Sequence, residues 1–260
     1  MQVLVFLLKR FGWMLITVWV VFTLSFFLMR AIPGGPLNGE RDLSESVRAQ
    51  LEQRYNLDDP LDVQYTTHLW NTMCFDFGPS YKLQDFTVNE VLAQGFPVSA
   101  ALGILGMTFA LLLGMTAGVV SAVRRTSIYD FSFMLLATLG IAIPSFVLAS
   151  MAIVLFVFYF QLFPAAGWGE LKQIVLPAMC LGAPFAGYIA RLTRTGMLEI
   201  LSNDYIRTAY AKGLSTRTVI LRHALRGSIL PVVSYLGPAC AGILTGSLVL
   251  EKIFAIPGMG

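Results

Sequence analysis

The sequence predicts an all-α, polytopic membrane protein, and three observations predict it. Hydrophobic residues make up 56% of the 260 and charged residues only 13%, where a soluble domain carries about 25% charged. The uncharged residues fall into runs close to or beyond the roughly 20 that a helix needs to cross a bilayer. The charges gather between those runs, and no Asp, Glu, Lys, Arg or His lies in the middle of any of them.

Lys9 and Arg10 precede the first run, residues 11–29. It is long for a signal-peptide core, and Met29-Arg30-Ala31-Ile32-Pro33 is a poor cleavage site, so it is a retained first span. Its basic flank places the N-terminus in the cytoplasm. Residues 31–90 are acid-leaning and predict a small extracytoplasmic subdomain. There, Asp42 with Glu45 can cap a helix to about Tyr55, and Asp59-Pro60 marks a turn before a second helix holding Leu69, Trp70 and Met73.

Span two occupies residues 91–123 and ends at the cytoplasmic marker Arg124-Arg125. Asp130 precedes a third uncharged run, 131–169, long enough for a span and an apolar external segment with Trp168 as interfacial anchor. The fourth span starts near Ile174 and ends at Arg191 and Arg194, which share one helical face and can reach the cytoplasmic headgroups. Span five, 227–250, returns outside, where Glu251, Lys252 and a Pro257-Gly258 turn follow. The chain thus divides into residues 1–30, the first span; 31–90, an extracytoplasmic subdomain; and 91–260, a membrane core with a cytoplasmic loop at 196–226.

That loop carries the densest signal. Asn203 and Asp204 are good N-cap residues, Tyr205, Ile206 and Ala209 follow at helical spacing, and Gly213 suits the position just past a helix end. Ser215 or Thr216 can then cap a second helix, which sets Val219, Ile220 and Leu221 amid Arg217, Arg222 and Arg226 and ends near Gly227. A loop serving charge asymmetry alone needs neither two capped turns nor the small residues Ala209, Ala211 and Gly213. A helix–turn–helix outside the bilayer needs a partner for its apolar stripe.

Other classes are disfavoured. Without an ionisable group at membrane depth, a proton-coupled mechanism loses its usual carrier. No G-x-x-x-x-G-K-[ST] loop is present, so any ATP is bound by another subunit. The histidines, His68 and His223, lie outside the spans, so Ser145, Ser150 and Ser247 have no intramembrane general base. Cys74, Cys180 and Cys240 follow no ligand spacing and are packing residues. Gly103, Gly106, Gly114, Gly118, Gly237, Gly242 and Gly246 suit close helix packing. Pro144, Pro177, Pro184 and Pro238 interrupt spans and free carbonyls that often face a cavity. Pro144, Ser145, Pro184 and Tyr188 are therefore pathway candidates.

Arg207-Thr208-Ala209, then Ala211-Lys212-Gly213-Leu214-Ser215, then Val219-Ile220-Leu221-Arg222-His223-Ala224-Leu225-Arg226 resemble the cytoplasmic loop of permease subunits of binding-protein-dependent ABC importers, in their dipeptide, oligopeptide and nickel branch. Arg207 and Thr208 replace the Glu and first Ala of the general motif, and His223 and Arg226 replace its Ile and Pro, while Ala209, Gly213 and Leu225 fit. Asn38-Gly39-Glu40-Arg41, Asp76-Phe77-Gly78-Pro79-Ser80 and Phe96-Pro97-Val98-Ser99 resemble the B-type permease of oligopeptide importers.

The resemblance implies a type I ABC importer permease fold, with five spans present and family members continuing from Gly260 into a sixth. It implies an inner-membrane permease subunit of an ATP-driven oligopeptide importer that forms half the pathway and is not itself an enzyme. The implied partners are a second homologous permease, two ABC ATPase subunits that bind ATP and Mg, a periplasmic peptide-binding protein and the lipid bilayer, with no nucleic acid and no cofactor in this chain. It also implies that Asp204, Tyr205, Arg207, Thr208, Ala209, Ala211, Lys212, Gly213, Leu214 and Ser215 dock against the ATPase. The alternatives are a permease for nickel or another small solute in the same family, and a stand-alone secondary transporter or channel.

Overall fold

Apolar runs fold as helices here, and the breaks fall where the sequence supplies proline, glycine or a capping side chain. The computed structural model describes residues 2–31, 58–80, 83, 86–246 and 248–260. It divides into two compact units, Met1–Val91 and Leu92–Gly260. Apart from an isolated antiparallel bridge between Pro79 and Thr87, regular structure among the described residues is helical.

In the first unit, α1 (Gln2–Ala31) starts ahead of the predicted span and carries Lys9 and Arg10 within it, because residues 3–8 are as apolar as the run that follows. Its side chains are mostly exposed, as on a helix that meets lipid, and Phe26 is buried. α2 (Leu61–Met73) follows Pro60, as the sequence predicts. Tyr65 of α2 meets the Phe26 ring edge-on at 5.3 Å and shares a 2.8 Å hydrogen bond with Thr23. Arg30 donates to Gln64 Oε1 at 2.9 and 2.7 Å and lies 3.6 Å above the Phe26 ring. The helix predicted from Asp42 to Tyr55 lies outside the described residues, as do Asn38, Gly39, Glu40 and Arg41.

The long helix α3 (Val88–Val123) opens on a reciprocal cap. Thr87 Oγ1 accepts from the Glu90 N–H at 3.2 Å, and Glu90 Oε2 accepts from the Thr87 N–H at 2.8 Å. α4 (Ile128–Ala142) starts at Ser127, whose hydroxyl accepts from the Asp130 N–H. Ile143 is extended, the conformation that Pro144 favours for the residue before it by disfavouring the helical region. The chain therefore turns through 112° into α5 (Ser145–Tyr159), whose end, Ile153–Tyr159, is π-helical. The predicted third span is thus a bent pair, and its first arm, at 15 residues, is only about 22 Å long.

α6 (Leu171–Leu201) keeps Pro177 and Pro184 inside it and runs on past Arg194. Beyond it lie α7 (Asp204–Ala211), α8 (Thr216–Ser228), α9 (Leu230–Leu244), bent 53° from α8, and α10 (Leu248–Ile253). Among the described residues, α1, α3 and α6 are long and apolar enough to cross a bilayer, and counting each bent pair as one span gives five.

α3 and α6 lie side by side in parallel because glycine removes what would separate them. A Cβ on Gly114 would sit 2.7 Å from the Ala186 carbonyl oxygen, and one on Gly118 2.6 Å from that of Ala190. From the α6 side, a Cβ on Gly182 would collide with the Gly106 carbonyl. Gly237, also predicted to pack, faces open space.

The fifth predicted span is broken where Gly246 takes φ +77°. Glu251, which follows the predicted end of span five, is buried at 1% exposure. Its carboxylate accepts from Ser99 Oγ at 2.7 Å and from the Gly260 N–H at 2.6 Å, because the Pro-Gly turn folds its backbone donors back onto the helix end.

Candidate coupling site

Ten residues between Asp204 and Ser215 form the predicted site, and the structure places most of them on one exposed knuckle. α7 carries a single buried stripe, Ile206 at 1% and Ala209 at 7% exposure. Asn203 is extended at its N-cap but makes no side-chain capping bond. Thr208 Oγ1 instead donates back to the Asp204 carbonyl at 3.0 Å, and Arg207 pairs with Asp204 at 3.3 Å on the surface.

The C-terminal end is more tightly determined. Gly213 takes φ +79°, its N–H donates to the Tyr210 carbonyl at 2.9 Å, and the Leu214 N–H donates to Ala209 at 3.3 Å. These two bonds make a Schellman turn, which needs a left-handed residue where glycine stands. Ser215 then caps α8, accepting from the Thr218 N–H.

Ala209 is thus spent on the inside, while Asp204, Tyr205, Arg207, Thr208, Ala211, Lys212, Gly213, Leu214 and Ser215 are exposed. Nothing lies within 4 Å of where a Gly213 side chain would be. Ile206 and Ala209 join Ala122 of α3, Met197 of α6, and Val219 and Ala224 of α8 in one apolar cluster. A displacement of α7 must therefore shift, or unpack from, the ends of both long helices.

Beside this cluster lies an ionic clamp that the sequence reading missed. Asp130, 5% exposed, accepts from Arg194 Nε and Nη2, both at 2.8 Å, from the Thr126 N–H at 2.9 Å and from the Ser121 hydroxyl. Arg194 Nε also reaches Ser121 Oγ at 3.0 Å. The clamp joins α3, α4 and α6, so Arg194 does not reach out to headgroups as predicted; a fixed carboxylate one helix away is the nearer partner. The available signal was Ser127-x-x-Asp130 ahead of an apolar run, a capping pattern that puts the carboxylate in the first turn.

The pathway candidates fall into two places. Pro144 and Ser145 form the bend between α4 and α5, and Pro184 and Tyr188 lie on α6. The bend lies about one turn beyond the level at which α4 and α6 touch near Pro184, where a Cβ on Gly140 would meet the Ala183 carbonyl oxygen at 3.1 Å. Tyr188 pairs with Tyr235 of α9, ring centroids 5.7 Å apart, a partner the sequence reading did not name.

Long apolar helices zipped by glycine, with a basic capped knuckle packed on their ends, define a multi-pass α-helical transport protein of the membrane. The chain belongs to the binding-protein-dependent transport system inner membrane component family, whose profile matches residues 110–260. It is 49% identical over 255 residues to the dipeptide transport system permease protein of Bacillus subtilis (strain 168), covering 98% of this chain and 83% of that protein. It is 44% identical over 257 residues to the oligopeptide transport system permease protein of Escherichia coli (strain K12), covering 98% and 84%. A dipeptide permease of Lactococcus lactis subsp. cremoris (strain MG1363) is 38% identical over 255 residues, covering 98% and 84%.

Proposed function

We propose that the chain forms one half of the pathway of an ATP-driven peptide importer and that α7 is the lever through which separate ATPase subunits move it. The observation that carries this reading is the two-sidedness of α7, exposed outward and packed inward against the ends of α3 and α6. The cargo is inferred from the relatives, which are named as dipeptide and oligopeptide permeases.

On this reading the N-terminus and the α7 end are cytoplasmic, supported by Lys9, Arg10, Arg124 and Arg125, and residues 31–90 form a periplasmic subdomain. A second homologous permease completes the pathway, and a periplasmic binding protein delivers the peptide. Two ATPase subunits bind ATP and Mg and carry out the hydrolysis, since this chain has no phosphate loop. Closure of the ATPases moves the exposed residues of the knuckle, and the apolar cluster passes that motion to the spans around Pro144, Ser145, Pro184 and Tyr188. The motor can drive this only through contacts that differ between the inward-open and outward-open states.

The test is the assembled complex in liposomes. Deleting residues 209–213 should leave insertion intact and sever peptide uptake from ATP hydrolysis; normal coupled uptake would reject the reading. A cysteine placed at Asn71 should be labelled from outside the cell, and labelling only from the cytoplasm would overturn the topology.

A further inference from the structure

We propose that the cavity between the start of α4 and the end of α6 binds one anionic phospholipid, with Arg191 on its phosphate. The cavity holds about 570 Å³. Its one carboxylate, Asp130, is neutralised by Arg194, so its second cation sets its charge. Arg191 lines it, is exposed, and has no hydrogen-bond or ion-pair partner among the described residues.

Depth argues for lipid rather than a soluble anion. Ser121 and Arg194 touch, so they are level; Arg124 lies one turn beyond Ser121 and Arg191 one turn short of Arg194. Arg191 therefore sits about 9 Å inward of Arg124, the first of the basic pair that follows α3. A cation that far in must snorkel outward or find an anion.

The lining changes along the same direction. At the mouth are Ser127 and Thr195; Phe131 stands just inside the Asp130–Arg194 pair, and Met134 and Thr138 lie level with Arg191 and deeper. From Ser127 to Thr138 the wall runs about 16 Å along α4. A polar, cationic mouth over an apolar floor fits a phosphate carried on an acyl chain, as in basic pockets between membrane helices on the cytoplasmic side.

The experiment uses the purified protein reconstituted into vesicles of phosphatidylethanolamine and phosphatidylglycerol, extracted in mild detergent and weighed intact. Wild type and Arg125→Gln should each retain one phosphatidylglycerol. Arg191→Gln, checked for unchanged melting and elution, should hold it about ten-fold more weakly, and Met134→Trp, which fills the floor, should also release it. Equal retention in Arg191→Gln, or equal loss in Arg125→Gln, would overturn the proposal. So would displacement by soluble glycerol phosphate as efficient as that by phosphatidylglycerol, which would indicate a phosphate site without the chain. In the assembled complex, a photoreactive group at position 191 should capture lipid; capture of a partner subunit's polypeptide would show that protein covers the cavity instead.

Discussion

Asp130 holds Arg194 through two parallel hydrogen bonds, each 2.8 Å long, across the ends of α4 and α6. With the carboxylate 5% exposed, removing one partner strands the other in a poorly hydrated place. Arg194→Ala, which leaves the buried carboxylate unpaired, should cost about 3 kcal/mol or more, read as lost thermal stability in detergent. Asp130→Leu combined with Arg194→Met should recover most of it, because the penalty is an unpaired charge and not a lost attraction. If the double variant is no more stable than the single one, the clamp does not work as an ion pair.

At Gly213 two substitutions separate backbone from docking. The φ of +79° charges any L-residue about 1–2 kcal/mol, and the space around it is open. Gly213→Ala and Gly213→Trp should therefore destabilise the isolated chain equally. In the assembled complex, Ala should retain most ATP-coupled uptake and Trp should lose it, because only the indole reaches a docked surface. Equal uptake by the two would place the ATPase contact elsewhere.

How far the sequence spoke can be followed through these residues. Gly213, Ser215 and the two short helices were legible because capping is local: the residue types sit next to the backbone groups they serve. The long helices were legible for the same reason, since an uncharged run carries its own signature. Arg194 and Glu251 were not. Arg194 was given the headgroups as its partner and Glu251 no partner at all, and each meets a group far along the chain, Asp130 and Ser99, that only tertiary packing supplies. The 112° turn at Pro144 lay between: the proline was visible, but whether a helix kinks or breaks there depends on Ile143 leaving the helical region as well.

The glycine zipper contains one uncompensated group. Thr193 is 1% exposed, its hydroxyl has no hydrogen-bond partner among the described residues, and a Cβ on Gly118 would lie 2.6 Å from its own Cβ. Thr193→Val keeps the shape and removes the unpaired oxygen, so it should be neutral or stabilising by about 1 kcal/mol. Gly118→Val, one helix away, should destabilise by several times as much, since two backbones would have to part. Melting of both variants in the same detergent checks the pair, and a destabilised Thr193→Val would mean that the hydroxyl has a partner in the membrane.

His68 gives the first unit a pH dependence. Burial against Phe22 and Phe26 lowers its pKa below the ordinary histidine value of 6.5, and the positive charge of Arg30 adds to that. The folded unit therefore prefers the neutral ring, while the unfolded chain takes up the proton more readily. Stability should be full above pH 6.5 and should fall as the pH drops through the lowered value, because the unfolded state then binds more protons. Hydrogen exchange of the α2 amides, corrected for its intrinsic pH dependence, should show protection declining on acidification. His68→Gln, which cannot titrate, should be less protected at neutral pH through lost ring contacts and should show a flat profile; a wild-type slope in that variant would assign the effect to another group.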